Sequence, residues 1–203
     1  MGRTRSFDDA SLLTGTAHLF RRLGFAATSL KDLERETGLQ AGSLYNAFGN
    51  KKSVFLRSLD AYHTGVVRHR IQTCLEGVHP VKELTKFFRS TYEVEGIPNA
   101  GCLLTNTAAE IGADDPEIQG KVEEGFSILR EAFALQMRHA QSQGLAPLDL
   151  APETAAEFLL SAYQGLLIRV RNGTPAKILD ETVRITIEAI LREEKTPKRK
   201  RKR

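Results

Sequence analysis

The heptapeptide Gln40-Ala41-Gly42-Ser43-Leu44-Tyr45-Asn46 contains residue types suited to a polyanion with readable edges. Gln40 and Asn46 each carry a donor and an acceptor in one plane, the pairing that matches the N6 and N7 edge of adenine. Ala41, Gly42 and Ser43 are small, so a helix beginning here can bring its N-terminus close to base edges. The two amides could equally lie over the sugar-phosphate backbone, which takes at least half of protein–DNA hydrogen bonds. Patterns for catalysis are missing. The five histidines, His18, His63, His69, His79 and His139, form no HExxH or other metal spacing, and no GxSxG, P-loop or dinucleotide fingerprint occurs. No enzymatic activity, metal or cofactor is expected. Two cysteines, Cys74 and Cys102, cannot build a disulfide framework or a zinc site and are expected to be reduced.

The charge distribution points to the same partner. The formal charge over 203 residues is only +4, but residues 1–70 hold 11 Lys and Arg against 6 Asp and Glu. Residues 71–194 hold 11 against 19, and residues 195–203 hold 7 positive charges and no negative one. A basic front, an acidic body and a basic tail make double-stranded DNA the first partner to test. With 41% apolar and 27% charged residues, the chain is expected to fold around a core. It contains no run of eighteen apolar residues, and its start, MGRTRSFDD, lacks the apolar stretch of a secretory signal. No membrane partner is expected, and the cytoplasm, with its nucleoid, is the expected location.

Apolar residues recur at helical spacing, so the expected fold class is all-α with about nine helices. The spacing predicts helices over 8–23, 29–37, 40–47 and 51–76, then 80–95, 100–112, 116–142, 152–172 and 175–194. Pro80, Pro116, Pro152 and Pro175 are placed to open helices. Gly24, Gly38, Gly77, Gly96, Gly112, Gly144 and Gly173 follow apolar-periodic runs, as expected where a helix ends left-handed. Ser29 with Asp32 three residues on has the form of a capping box. The expected domains are a DNA-binding head over 1–50, a connecting helix over about 51–76, an effector-binding and dimerisation body over 77–194, and a disordered basic tail over 195–203.

Two short helices separated by Thr37-Gly38-Leu39 have helix-turn-helix spacing, with Leu30, Leu33, Leu39 and Leu44 directed inward. Over residues 7–58 the sequence resembles the TetR/AcrR family of bacterial transcriptional regulators. The matching residues are Leu23-Gly24-Phe25, Thr28-Ser29, Leu30, Asp32-Leu33, Thr37-Gly38-Leu39, Gly42-Ser43-Leu44-Tyr45, Phe48 and Lys51. The resemblance implies phosphate contacts from Tyr45, from Lys51 and from Thr28 at the start of the second helix. Where the family often has a histidine this chain has Ala47, so any contact made by that histidine is absent. Arg3 and Arg5 could enter the flanking minor groove as basic arms do.

The resemblance also implies a homodimer and a small-molecule effector held in the body. The last two helices carry broad apolar faces, and Phe158, Leu159, Ala162, Leu166, Val183, Ile187, Ile190 and Leu191 are the expected dimer interface, as a four-helix bundle. The same faces could instead complete the core of one chain. Phe87, Phe88, Tyr92, Phe126, Phe133 and Tyr163 are expected to line an apolar effector pocket that also includes Cys102, with Asn106 and Gln164 as polar anchors. Aromatic residues at helical spacing are more commonly simple core. Residues 101–110 resemble a GCL-x-x-N-x-A-x-E stretch found in one branch of these regulators. Cys102, near a helix start, could sense electrophiles or oxidants. The expected function is a repressor released from a palindromic operator by a lipophilic or aromatic effector. The rival is a constitutive, weakly specific DNA-binding protein without an effector.

Overall fold

The computed structural model describes residues 9–93 and 100–191, and every regular element among them is helical. The head comprises α1 (Asp9–Leu23), α2 (Leu30–Thr37) and α3 (Ala41–Phe48). A long rod follows: α4 (Lys51–Tyr62), a π-helical segment (His63–Arg68) and α5 (His69–Leu75). The body adds α6 (Pro80–Arg89), α7 (Leu103–Glu110), a 3₁₀ turn (Gly112–Asp114), α8 (Pro116–Ser142), α9 (Pro152–Arg171) and α10 (Ala176–Glu188). With the rod counted as one, the described residues form nine helices. Arg3, Arg5 and the tail 195–203 lie outside the described residues.

Local chemistry explains the boundaries. The Ser29 hydroxyl accepts from the Asp32 backbone N–H while the Asp32 carboxylate accepts from that of Ser29, closing both arms of the capping box. The α2–α3 turn relies on Gly38 at φ +69°, where a Cβ would be strained. Asn50 caps α4 by accepting from Ser53 N at 2.9 Å, and Asp115 caps α8 by accepting from Glu117 N and Ile118 N. Pro80, Pro116 and Pro152 are the first residues of their helices, as expected. Pro175 stands one residue earlier, at the N-cap of α10. Gly77 also departs from expectation. Its φ is not positive, and glycine serves there because a Cβ would collide with the Glu83 carboxylate. Gly96 lies outside the described residues.

Most of the expected helices are present with shorter ends, while α8 keeps its expected bounds and α3 ends one residue later, at Phe48. The third begins at Ala41 with Gln40 as its N-cap, and α10 stops at Glu188. The π segment within the rod was not expected. Each part has its own aromatic core. In the head, Phe55 packs edge-on to Phe20 at 4.7 Å and lies 4.9 Å from Phe25. In the body, Phe87 meets Phe133 at 5.3 Å and Tyr163 at 5.1 Å. Each fully buried side chain of this size contributes about 1.5–3 kcal/mol.

Candidate nucleic-acid interface and its link to the body

Helix α3 is divided into two faces. Leu44 and Phe48 are buried, whereas Gly42, Ser43 and Asn46 on the other side, with Gln40 at the N-cap, are exposed. Ala41, Tyr45 and Lys51 are half-buried at the margin. The start of α3 is held by a residue not anticipated from sequence: the Glu34 carboxylate in α2 accepts from the Ala41 backbone N–H at 2.7 Å. Gln40 makes no side-chain capping bond, so its amide is unused by the helix. The glutamate thus fixes the angle between the two helices and leaves the polar face of α3 open.

Two of the expected phosphate contacts are compatible with their surroundings and one is not. Lys51 projects across the α1–α2 loop, donating to Ala26 O at 3.2 Å with its ammonium 4.8 Å from the centre of the Phe25 ring. Tyr45 packs against the edge of the head core. Thr28, by contrast, is buried, and its hydroxyl donates to Gly24 O at 2.6 Å. Its side chain closes the loop that leads into α2, and its O–H is already given to Gly24 O rather than to a phosphate.

The head is tied to the body chiefly through α7 and the start of α8. Glu110 accepts from the backbone N–H groups of Phe25 and Ala26 at 2.9 and 2.7 Å. Gly24, at φ +84°, faces the same carboxylate so closely that a Cβ would clash with it. The Asn106 amide donates to Arg21 O at 3.0 Å and to Ala100 O at 2.9 Å. Asn106 is therefore a joint between head and body rather than an anchor in a pocket. Lys52 pairs with Asp115 and Glu117, and Lys121 pairs with Asp60. Thr16 and Ser58 share a buried hydrogen bond of 2.7 Å that fixes α1 on α4.

The expected pocket residues fall into separate groups. Phe88, Phe133 and Tyr163 do come together, with Phe87, in one cluster of mutually packed rings. Tyr62 donates to the buried Cys102 sulfur at 3.5 Å, and Arg70 donates to the Tyr163 hydroxyl at 2.7 Å. Three residues fall elsewhere. Tyr92 donates to Asp180 at 2.9 Å between α6 and α10, and Phe126 lines a cavity of about 210 Å³ between α7 and α8. Gln164 is half-buried on α9, turned about 100° from Tyr163 by the helical step. Cys74 and Cys102 are both free and buried.

Among the described residues, the polar atoms of Asp60, His63 and Glu124 lie within 4.8 Å of one another, a metal-like grouping that sequence spacing did not suggest. The Lys121 ammonium already bridges the two carboxylates at 2.9 and 3.0 Å, supplying the cation.

A helix-turn-helix head with an exposed, capped second helix, joined by a long rod to an all-helical body, defines a class of DNA-binding regulators. The chain belongs to the TetR family: residues 12–57 match the family model described as bacterial regulatory proteins, tetR family, and residues 77–185 match the tetracyclin repressor-like C-terminal domain. Among similar proteins, the HTH-type transcriptional repressor ComR of Escherichia coli (strain K12) is 27% identical over 190 residues, covering 92% of this chain and 90% of the relative. The HTH-type transcriptional repressor DhaR of Mycobacterium sp. (strain GP1) is 25% identical over 175 residues, covering 85% and 87%. A solved structure of a cysteine variant of the regulator CifR, complexed with 26-base-pair operator DNA, has the same fold. It superposes with a TM-score of 0.81 at 22% identity, covering 93% of this chain and all of that one.

Proposed function

We propose that the protein is a homodimeric transcriptional repressor that binds a palindromic operator through α3 and leaves it when a small molecule binds in the body. The observation that carries the reading is the face of α3: Gln40, Gly42, Ser43 and Asn46 exposed together on a helix whose opposite side is locked into the head core. The repressor names of ComR and DhaR and the operator bound to CifR support it. Tyr45 and Lys51 flank that face as phosphate contacts, while Thr28 contributes by shaping the loop.

The dimer surface is drawn from α9 and α10, with a changed membership. Leu159, Leu166, Val183, Ile187 and Leu191 are each buried inside the single chain and have no surface left for a partner. Phe158 and Ile168 on α9 and Ile178 and Ile185 on α10 are exposed instead, with Ala162 and Ile190 half-buried beside them. These form the proposed interface, and Gly165 between Phe158 and Ile168 has open space above it, which permits close helix approach. The described helices include none long and apolar enough to cross a membrane. Release follows if the effector moves the rod, since both α3 helices dock only with half-sites about 34–36 Å apart. Competition footprinting on genomic fragments tests the reading. A palindromic footprint strongly preferred over random DNA is expected, and equal binding to all fragments would sink it in favour of a non-specific DNA binder.

A further inference from the structure

Arg70 on α5 differs from the arginines that are ion-paired at the surface. Arg89, Arg130, Arg138 and Arg184 are each paired with a carboxylate at the surface. Arg70 is partly buried, and the groups that bear on its charge are Tyr163, Tyr62 and Cys102. Neither phenol neutralises it. Burial raises the pKa of both phenols, so they remain protonated near neutral pH. No carboxylate among the described residues pairs with the guanidinium. The neighbourhood is also rich in donors and short of acceptors. Arg70 uses one N–H on the Tyr163 oxygen, and among the described residues nothing accepts the Tyr163 hydroxyl hydrogen. Tyr62 gives its hydrogen only to sulfur, a weak acceptor, at 3.5 Å.

A guanidinium drawn into a protein without a counter-ion is costly, and its planar fork matches a carboxylate bidentately. The aromatic body of Tyr163 packs at 5.1 and 5.4 Å from Phe87 and Phe88, so an apolar wall adjoins the charged group. We infer that Arg70 and Tyr163 form the recognition point for a small monocarboxylate with an apolar or aromatic body, the carboxylate taking N–H donors from Arg70 and the O–H donor of Tyr163. The inference builds on the effector-responsive reading above and narrows it to one chemical class.

The test uses calorimetric titration of the full chain with hexanoate and benzoate, each against its primary amide, and with inorganic phosphate. At least one acid is expected to bind about tenfold or more tightly than its amide and than phosphate, a difference of about 1.4 kcal/mol. In Arg70→Met that preference should shrink to about twofold or less, and Arg70→Lys should restore part of it. Should Arg70→Met not fold, Tyr163→Phe, which keeps the ring, should weaken acid binding about threefold or more while leaving amide binding unchanged. Equal binding of acids and amides, phosphate binding as tightly as the acids, or no binding of either acid at millimolar concentration would overturn the site. Operator release, followed by fluorescence anisotropy, separates the two levels. Acids that bind through Arg70 without releasing DNA overturn the release reading and leave the site standing. Release by neutral compounds, with no preference for acids, overturns the site and leaves the release reading standing.

Discussion

Glu34 shows how a single side chain can hold the start of the proposed recognition helix. Its carboxylate replaces the missing intrahelical partner of the Ala41 N–H and adds a negative charge at the positive end of α3. Glu34→Ala should cost about 0.5–2 kcal/mol of stability, the range for a lost cap, and weaken operator binding more than non-specific binding. Parallel thermal melts and anisotropy titrations would show it, and unchanged specificity would contradict the role. Gly38 offers a cleaner case because open space surrounds it, so only the backbone resists a side chain. At φ +69°, Gly38→Ala should cost about 1–2 kcal/mol, and Gly38→Asn less, in calorimetric melts. That glycine was readable from Thr37-Gly38-Leu39, as were the inward leucines, since turn chemistry and helical period are local properties. The Glu34 bond and the inward turn of the Thr28 hydroxyl were not, because each depends on how one segment folds back on another.

At the level of elements, α7 is the coupling. It receives the α1–α2 loop through Glu110 and the end of α1 through Asn106, so a shift of α7 is delivered to the head through hydrogen bonds. Glu110→Ala should lower stability by about 0.5–1.5 kcal/mol, the net value of a hydrogen bond whose exposed donors water can take over, and broaden the calorimetric transition as head and body melt less cooperatively. A single sharp transition at unchanged temperature would argue against that coupling. The motif 101–110 was visible in sequence, yet its work at the joint was not, since the partners are backbone atoms some 85 residues away. The π segment was equally hidden, because within one six-residue stretch the extra residue shifts the helical phase only once, too brief a change to separate from ordinary variation in an apolar pattern. It begins at His63, which is buried against Gly125 of α8, faced by Asp60 of α4 and by Glu124 and Lys121 of α8. Desolvation lowers the pKa of His63 below its ordinary 6.5. The unfolded chain then binds the proton first, so stability falls as pH drops below about 6.5. His63→Gln should flatten that acid limb, and His18, lowered in the same direction, should leave a residual slope.

At the scale of the whole molecule, two features bear on the proposed DNA binding: the exposed stripe of Phe158, Ile168, Ile178 and Ile185, and the separated charges. If the proposed dimer forms through this stripe, a charge placed in it, Ile185→Glu, should give a monomer in analytical ultracentrifugation and reduce operator binding to that of one half-site. The folded chain should survive, because Ile185 is already solvated. The expected interface mixed exposed with buried members because helical period reveals an apolar stripe but not whether its partner is the same chain or a second one. The proposed contribution of the basic tail is long-range charge. Removing its seven positive charges takes the chain from +4 to −3, so specific binding would then rest on the local field of the head. Each phosphate neutralised adds about 0.9 to the slope of log affinity against log salt, so deletion of residues 195–203 should flatten that slope by up to about 6 per protomer. Specific and non-specific affinity should fall together, because a tail of Lys and Arg reads phosphates and not bases. The footprint should keep its sequence. A changed footprint after the deletion would assign the tail to the bases, and an unchanged salt slope would remove it from the DNA altogether.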